Sequence, residues 1–371
     1  MNKREKSFFL KSGDNISAAN LQKIISHYKS IELTSEDRQI ASKIHEETQE
    51  KNDLPDWWTP QEAAYLKGVD DLEASVRYII FRYKFRVFTR DRITPTFPIY
   101  VLIEPTSVCN LKCPFCFQSD KSFNKKYMGR MDMDLFIHVI DECAENGTGA
   151  ITLASRGEPT LHPNITDMLA YMKGKFFEVK MNTNGTKLTE KICHSLFVNG
   201  VNDIVLSIDS EQKELFEKMR KGAQFEKVLD NVKMLYRIRA EYYPDSRTTI
   251  RISGVEYMDG QNAEKFTEFW GSFADEITIY PAEERWDTYG NTPHPDLSGS
   301  CPYPWERFYI WHDGTCNPCD VDYKSKLSPG IISKDVSIKS IWDSKILREL
   351  KQKHLEGKRS AIIPCDRCGI E

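Results

Sequence analysis

The sequence has no apolar run approaching the roughly 20 residues that span a bilayer. Its one early apolar cluster, Phe8-Phe9-Leu10, is too short for the core of a secretory signal. It also has no strong charge of either sign. Lys and Arg number 51 against 55 Asp and Glu, a net charge of −4, which offers nucleic acid or an anionic membrane no general handle. Together these absences predict a cytoplasmic protein, and in that compartment ten cysteines are free thiols or metal ligands rather than disulfides. A chain of 371 residues buries enough surface to fold without such staples. The first 95 residues are poor in glycine and show no winged-helix pattern of the kind that would recognise a peptide.

What is present begins with the placement of the cysteines. Cys143 and Cys193 stand alone in helical patterns and read as buried neutral thiols. The other eight fall into two groups. The first is Cys109-Asn-Leu-Lys-Cys113-Pro-Phe-Cys116, directly after an apolar run over 99–103. A tight loop there turns three sulfurs towards one point. A structural zinc site wants four protein ligands, so three local thiolates either borrow a distant fourth ligand, as a zinc knuckle, or leave one metal position open. The second group, Cys301, Cys316, Cys319, Cys365 and Cys368, closes the chain. Seen alone, its two C-x2-C pairs also fit a zinc ribbon.

Between the two groups a repeating pattern appears. β-rich runs at 99–104, 150–154, 178–182, 203–208, 248–253 and 276–280 alternate with helical patterns at 132–146, 165–173, 189–199, 211–219 with 225–241, and 262–273. Strand-then-helix repetition implies parallel βα units with right-handed crossovers. Six such units with no seventh predict an incomplete (β/α)6, TIM-like barrel over residues 96–282. An N-terminal helical extension over 1–95 precedes it, and a small C-terminal domain over 283–371 follows. In the extension, helical spacing covers 21–30, 35–50 and one run from Pro60 to Tyr83. Arg77, Arg82, Arg86 and Arg90 interleave there with Tyr78, Phe81, Tyr83 and Phe88, which reads either as a surface for a phosphate-bearing partner or as packed aromatics beside solvated arginines.

In a barrel of this kind ligand-binding residues gather where strands end, and the sequence places polar groups there. Ser155-Arg156-Gly157-Glu158-Pro159 follows the second strand, and Asn182-Thr-Asn184-Gly185 the third. Ser207 and Asp209 share a face after the fourth, and Arg251 lies on the fifth with a charge suited to a carboxylate. After the last strand, Glu283 to Tyr289 offers acidic and aromatic groups to an approaching substrate. Phe308 to Thr315 reads as a hairpin about Asp313-Gly314, with a helix following at 341–354.

The first cysteine loop, with Phe115 before its last thiol, resembles the CxxxCxΦC signature of the radical SAM enzymes. The polar strand ends add to that likeness: Gly157-Glu158-Pro159 is similar to the family's GGEP motif, with Arg156 in place of a glycine, and Thr183-Asn184-Gly185 to its TNG turn. Cys301, twelve residues, Gly314, four residues and Cys319 resembles the C-x(9–15)-G-x4-C pattern of the SPASM and twitch extensions. The resemblance implies two [4Fe–4S] clusters. One is held by Cys109, Cys113 and Cys116, its open iron binding S-adenosylmethionine (SAM). The other is auxiliary, held by Cys301, Cys319, Cys365 and Cys368. It implies SAM contacts from Phe115, Gly157, Glu158, Asn182, Asn184, Ser207, Asp209 and Arg251, and an electron donor such as flavodoxin or ferredoxin. The implied chemistry is cleavage of SAM to methionine and a 5′-deoxyadenosyl radical, which takes a hydrogen atom from a substrate. A sugar or aminocyclitol is the first expectation and a peptide the second. Two-electron oxidation of an alcohol through the auxiliary cluster is expected ahead of epimerisation, for which the spare thiol Cys316 is the candidate hydrogen donor. A non-catalytic zinc module is the alternative outside catalysis.

Overall fold

The computed structural model describes residues 6–9, 17–50, 53–66, 69–282 and 288–369. Two compact units emerge, one of residues 11–99 and one of residues 1–10 with 100–371. In the second unit a short strand β1 (Lys6–Phe9) precedes the N-terminal unit in sequence.

The N-terminal unit is helical: α1 (Ala18–Ile25), α2 (Ser35–Glu50), α3 (Pro60–Leu66), α4 (Leu72–Tyr83) and a short α5 (Thr89–Asp91). Ser17 caps α1 and Asp71 caps α4 by accepting backbone N–H groups of the first turn. The single helical run expected from Pro60 to Tyr83 is thus two helices, because Asp71 starts a new one. Tyr78, Phe81, Tyr83 and Phe88 are buried. Tyr65 stacks on Tyr78 at 3.9 Å, and Trp57 meets Tyr83 edge-on at 5.3 Å. The interleaved arginines have carboxylate partners within the unit: Arg77 with Glu73, Arg86 with Glu62 and Arg90 with Asp91. That pairing favours the packed-aromatic reading over a phosphate surface.

The larger unit is a βα succession. Its elements are β2 (Tyr100–Ile103), α6 (Met133–Glu145), β3 (Ala150–Leu153), α7 (Ile165–Met172), β4 (Glu178–Thr183), α8 (Glu190–Val198) and β5 (Asp203–Ser207). There follow α9 (Lys213–Met219), α10 (Phe225–Tyr242), β6 (Thr249–Glu256), α11 (Ala263–Trp270) and β7 (Glu276–Pro281). Strands β2 to β7 are parallel neighbours in chain order, which is the partial TIM-like barrel. Asp132, Thr189 and Asn262 cap α6, α8 and α11, so three of the five crossovers start on a side-chain acceptor.

The C-terminal elements are α12 (Tyr303–Glu306), β8 (Phe308–Ile310), β9 (Thr315–Asn317), β10 (Gly330–Ile331), α13 (Ile338–Trp342) and α14 (Lys345–Leu355). Asp313-Gly314 makes the β8–β9 turn, with Gly314 at a φ of +82°. β8 pairs in parallel with β2, so the strand order β1-β7-β6-β5-β4-β3-β2-β8-β9-β10 forms one ten-stranded sheet. The boundary expected at 282/283 therefore separates no compact bodies. Among the described residues no helix is long and apolar enough to cross a membrane.

One buried group in α14 gives a direct test of this packing. Lys351 is 6% exposed, its Nζ has no hydrogen-bond partner and sits 3.6 Å from the Trp342 ring centre. Burial pulls its pKa down to about 7. The unfolded chain holds that proton up to about pH 10.4, so between pH 7 and 10 the unfolded state binds more protons and stability rises with pH. Lys351→Met is expected to stabilise the protein by roughly 1–3 kcal/mol below pH 7, where the cation–π contact offsets part of the ammonium's desolvation. The gain should shrink towards pH 10, which a series of thermal melts from pH 6 to 10 would show.

Candidate active site

The three-cysteine loop leaves the C-terminal end of β2. Burial pushes the Cys109 thiol up to about 11 and the Cys116 thiol up to about 12; Cys113 raises both further, and Cys109 raises Cys116. Neutral thiols so buried release their protons when a metal centre compensates them. Among the described residues no three His, Cys, Asp or Glu side chains close on one ion. The donor set is sulfur, as a [4Fe–4S] cluster requires.

The loop rests on the segment after β3. Glu158 donates its backbone N–H to the Val108 carbonyl at 2.9 Å. A Cβ on Gly157 would lie 2.1 Å from the Thr106 carbonyl oxygen and 2.7 Å from that of Val108, so only glycine lets the two backbones pass. Ser155 has a φ of +108°, a strained value for a residue with a side chain, and its buried Oγ has no hydrogen-bond partner. Glu158 is 2% exposed; its carboxylate accepts from Thr160 Oγ1 and Thr183 Oγ1, each at 2.6 Å, and from the Asn184 N–H at 2.7 Å. Burial outweighs these bonds and raises its pKa. In this structure Glu158 fixes the turn after β4.

That turn reaches the cysteine loop in its own right. Asn184 Nδ2 lies 3.1 Å from Asn110 Oδ1 and 3.9 Å from Cys109 Sγ. Asn182, half-buried at the end of β4, has a buried Oδ1 with no hydrogen-bond partner. Ser207 closes β5 level with Ser253. Asp209 receives Arg220 in a two-pronged pair at 2.5 and 3.0 Å and also accepts from the Val255 N–H. Arg220 continues to the loop, with Nη1 4.0 Å from Cys113 Sγ and its guanidinium 5.3 Å from the Phe115 ring centre. Phe115 packs on Tyr257 at 5.2 Å. The structure thus brings Phe115, Gly157, Glu158, Asn184 and Asp209 to the cysteine loop, with Asn182 and Ser207 at neighbouring strand ends. The unpartnered oxygens of Ser155 and Asn182 are acceptors of the kind an amino-bearing ligand needs, and in that respect the residues fit SAM.

Arg251 departs from expectation. It occupies the third position of β6, paired with Glu276 at 3.0 Å and Asp203 at 3.2 Å, the first residues of β7 and β5. That is the end of the strands opposite the cysteine loop. Cys316 departs too. It is 0% exposed, its thiol donates to the Gly314 carbonyl, and its electrostatic neighbours are Cys143 and Glu142 of α6. The structure does not bring it to the other C-terminal thiols. Of the expected substrate loop, Glu283 to Asp287 lie outside the described residues. Tyr289 is occupied, donating its hydroxyl to Asp322 and packing edge-on to Tyr323 at 5.0 Å.

Sequence reasoning missed three groups. Arg220 was visible only as part of Arg220-Lys221-Gly222, and its role depends on Lys112 N–H bonding the Lys221 carbonyl at 2.9 Å. Glu104 is fully buried and holds Arg156 at 2.6 and 2.7 Å while accepting from His312 Nδ1 at 2.9 Å. Arg156 also donates to the Tyr323 carbonyl at 3.0 Å and lies 4.3 Å from the Trp311 ring centre. Tyr323 in turn stacks on Phe117 at 5.0 Å and donates to Asp120 at 2.8 Å, just past the cysteine loop. The third group is Arg359.

At the second site Cys301, Cys319, Cys365 and Cys368 gather. Burial raises the Cys319 and Cys365 thiols most; Cys365 and Cys368 raise Cys319 further, and Cys301 and Cys368 raise Cys365. The Cys301 N–H points to His354 Nδ1 at 3.3 Å. Four sulfurs are the number that a closed cluster takes.

Residues 103–269 match the family model of the radical SAM superfamily, and residues 301–369 match that of the SPASM iron–sulfur cluster-binding domain. The chain belongs to the radical SAM superfamily and ends in a SPASM-type domain. These domains imply a SAM-binding [4Fe–4S] cluster and an auxiliary one. A curated relative, the tungsten-containing aldehyde ferredoxin oxidoreductase cofactor-modifying protein of Pyrococcus furiosus, is 36% identical over 111 residues, 30% of each chain. Curated relatives are covered over 30% to 62% of their own length. Among solved structures, BtrN in complex with AdoMet and 2-DOIA is 20% identical with a TM-score of 0.50, over 75% of this chain and 94% of that one. Streptococcus suis SuiB bound to precursor peptide SuiA is 13% identical with a TM-score of 0.55, over 89% and 83%. These likenesses show the shared fold.

Proposed function

We propose that the chain oxidises an alcohol of a small polyhydroxylated or amino-bearing molecule, a sugar or aminocyclitol, by hydrogen-atom abstraction. Cys109, Cys113 and Cys116 hold the SAM-binding cluster in this reading, and Cys301, Cys319, Cys365 and Cys368 the auxiliary one. The single observation that carries it is the second site, where Cys365 and Cys368 act electrostatically on Cys319, and Cys301 and Cys368 on Cys365; as ligands these four thiols would fill every cluster position, which suits electron acceptance better than substrate binding. With both clusters and SAM bound, the cofactors supply a 5′-deoxyadenosyl radical and a one-electron acceptor. The protein's own residues do the positioning. Gly157 admits the cysteine loop, Glu158 fixes the Asn184 turn against it, and Arg220 sets a positive charge beside Cys113. Ser155 Oγ and Asn182 Oδ1 are the acceptors for the SAM ammonium group. Loss of one hydrogen atom, then one electron and one proton, converts the alcohol to a carbonyl.

The burial of Cys316 supports oxidation over epimerisation, since a donor thiol must reach the substrate carbon. Cys316→Ala is expected to keep turnover within about threefold, as a buried thiol-to-methyl change leaves the site's geometry in place. Product formed in deuterium oxide should carry no carbon-bound deuterium. Loss of product with continued 5′-deoxyadenosine release, or one deuterium written into product carbon, would sink the oxidation reading. A peptide substrate is the second reading, favoured by the likeness to SuiB over 89% of this chain. Stimulation of SAM cleavage by cyclitols and sugars against a peptide panel separates the two.

A further inference from the structure

Arg359 is 1% exposed in a short turn (Arg359–Ala361) beside the final cysteine pair. Its Nη2 donates to the Cys368 carbonyl at 2.8 Å. Its Nε and Nη1 have no hydrogen-bond partner. A guanidinium with two idle, fully buried N–H edges is costly unless something anionic faces it. The anionic candidate is at hand, because Arg359 acts electrostatically on the Cys365 thiol. Four thiolates around a [4Fe–4S] core carry a net charge of −2 in the oxidised cluster and −3 once one electron enters.

We infer that Arg359 is a positioning residue that sets the reduction potential of the auxiliary cluster, its idle Nε and Nη1 facing the cluster sulfurs. The inference rests on the assignment of Cys301, Cys319, Cys365 and Cys368 as ligands. A fixed positive charge favours the −3 state over the −2 state, and N–H bonds to sulfur act in the same direction. The electron entering the cluster comes from the substrate radical, which leaves as a carbonyl after losing one proton. Arg359 thereby makes the acceptor easier to reduce without touching substrate.

The test uses the full-length chain with Cys109→Ala, Cys113→Ala and Cys116→Ala, so that only the auxiliary cluster loads. Its midpoint is read by an EPR-monitored redox titration in three backgrounds: Arg359 intact, Arg359→Gln and Arg359→Lys. Glutamine keeps an N–H for the Cys368 carbonyl but removes the charge, so a purely structural role would leave the midpoint alone. The expected result is a reduced-to-oxidised ratio at fixed potential at least about tenfold lower in Arg359→Gln, about 59 mV for one electron. Arg359→Lys should lie closer to the parent than to the glutamine variant. A glutamine midpoint within about twofold of the parent overturns the inference and leaves the ligand assignment standing. Failure of the triple-alanine parent to load any cluster overturns the ligand assignment instead. Should the glutamine variant not fold, pulsed EPR of the parent grown on 15N-guanidino arginine decides. A 15N coupling lost in Arg359→Lys sustains the inference, and no coupling overturns it.

Discussion

Gly157→Ala is expected to abolish the SAM-binding cluster while sparing the auxiliary one. The new methyl would sit 2.1 Å from the Thr106 carbonyl oxygen and 2.6 Å from the Ser107 carbonyl carbon, and both are backbone. No side chain is there to swing aside, so the segment leading from β2 to Cys109 must move. Displacements of about 1 Å at a reacting site cost about a hundredfold in rate, and here the displaced element carries all three proposed ligands. Iron should fall from about eight to about four per chain, with the remaining cluster that of the closed site. Gly299→Ala is the control, since a Cβ there meets nothing within 4 Å. Full iron content in the Gly157 variant would show that the cysteine loop is not seated on this glycine.

Arg156→Met is expected to cost roughly 3–5 kcal/mol at neutral pH, because it strands the fully buried Glu104 carboxylate. In the parent, burial pushes Glu104 up, but Arg156 and His312 outweigh it and hold the carboxyl below the ordinary range. A lowered pKa stabilises the fold above the unfolded value of about 4.3 and is lost as acid protonates Glu104 through its folded value. Without Arg156 the sign reverses. Burial raises the carboxyl, protonation relieves it, and the gap between variant and parent should close as pH falls from 7 to about 4.5. Thermal melts across that range check it, and a gap independent of pH would mean that the lost packing on Trp311 dominates. Adding Glu104→Gln to Arg156→Met should recover part of the loss at pH 7.

Both predictions concern contacts that the sequence does not display, and the contrast with what it does display is instructive. The cysteine loop was legible because its thiols are local: Cys109, Cys113 and Cys116 carry their spacing with them. The barrel was legible because each βα unit repeats the same switch from strand to helix period. Arg251 was misplaced for a definite reason. β6 runs on through Gly254 to Glu256, pairing with Tyr280 and Pro281, so the strand ends three residues later than its apolar run and Arg251 falls to the far end. Cys316 and Cys319 are too close in sequence for spacing alone to say which way each thiol points. Glu104 and Arg156 stand 52 residues apart, and only the fold makes them one ion pair. Arg359 had no pattern around it at all, since an unpaired buried cation becomes conspicuous only after burial is known.

The parallel pairing of β8 with β2 has a consequence for how the chain is made. Until residues 308–310 have emerged from the ribosome, β2 is an open edge of a parallel sheet, bearing unpaired N–H and C=O groups on a strand buried at Val101, Leu102 and Ile103. Such edges recruit other chains. A chain ending at residue 300 is expected to self-associate in size-exclusion chromatography rather than behave as a separable catalytic half. The C-terminal segment is therefore the cover of one sheet edge: it cannot be cut off, swapped or appended late without leaving β2 open.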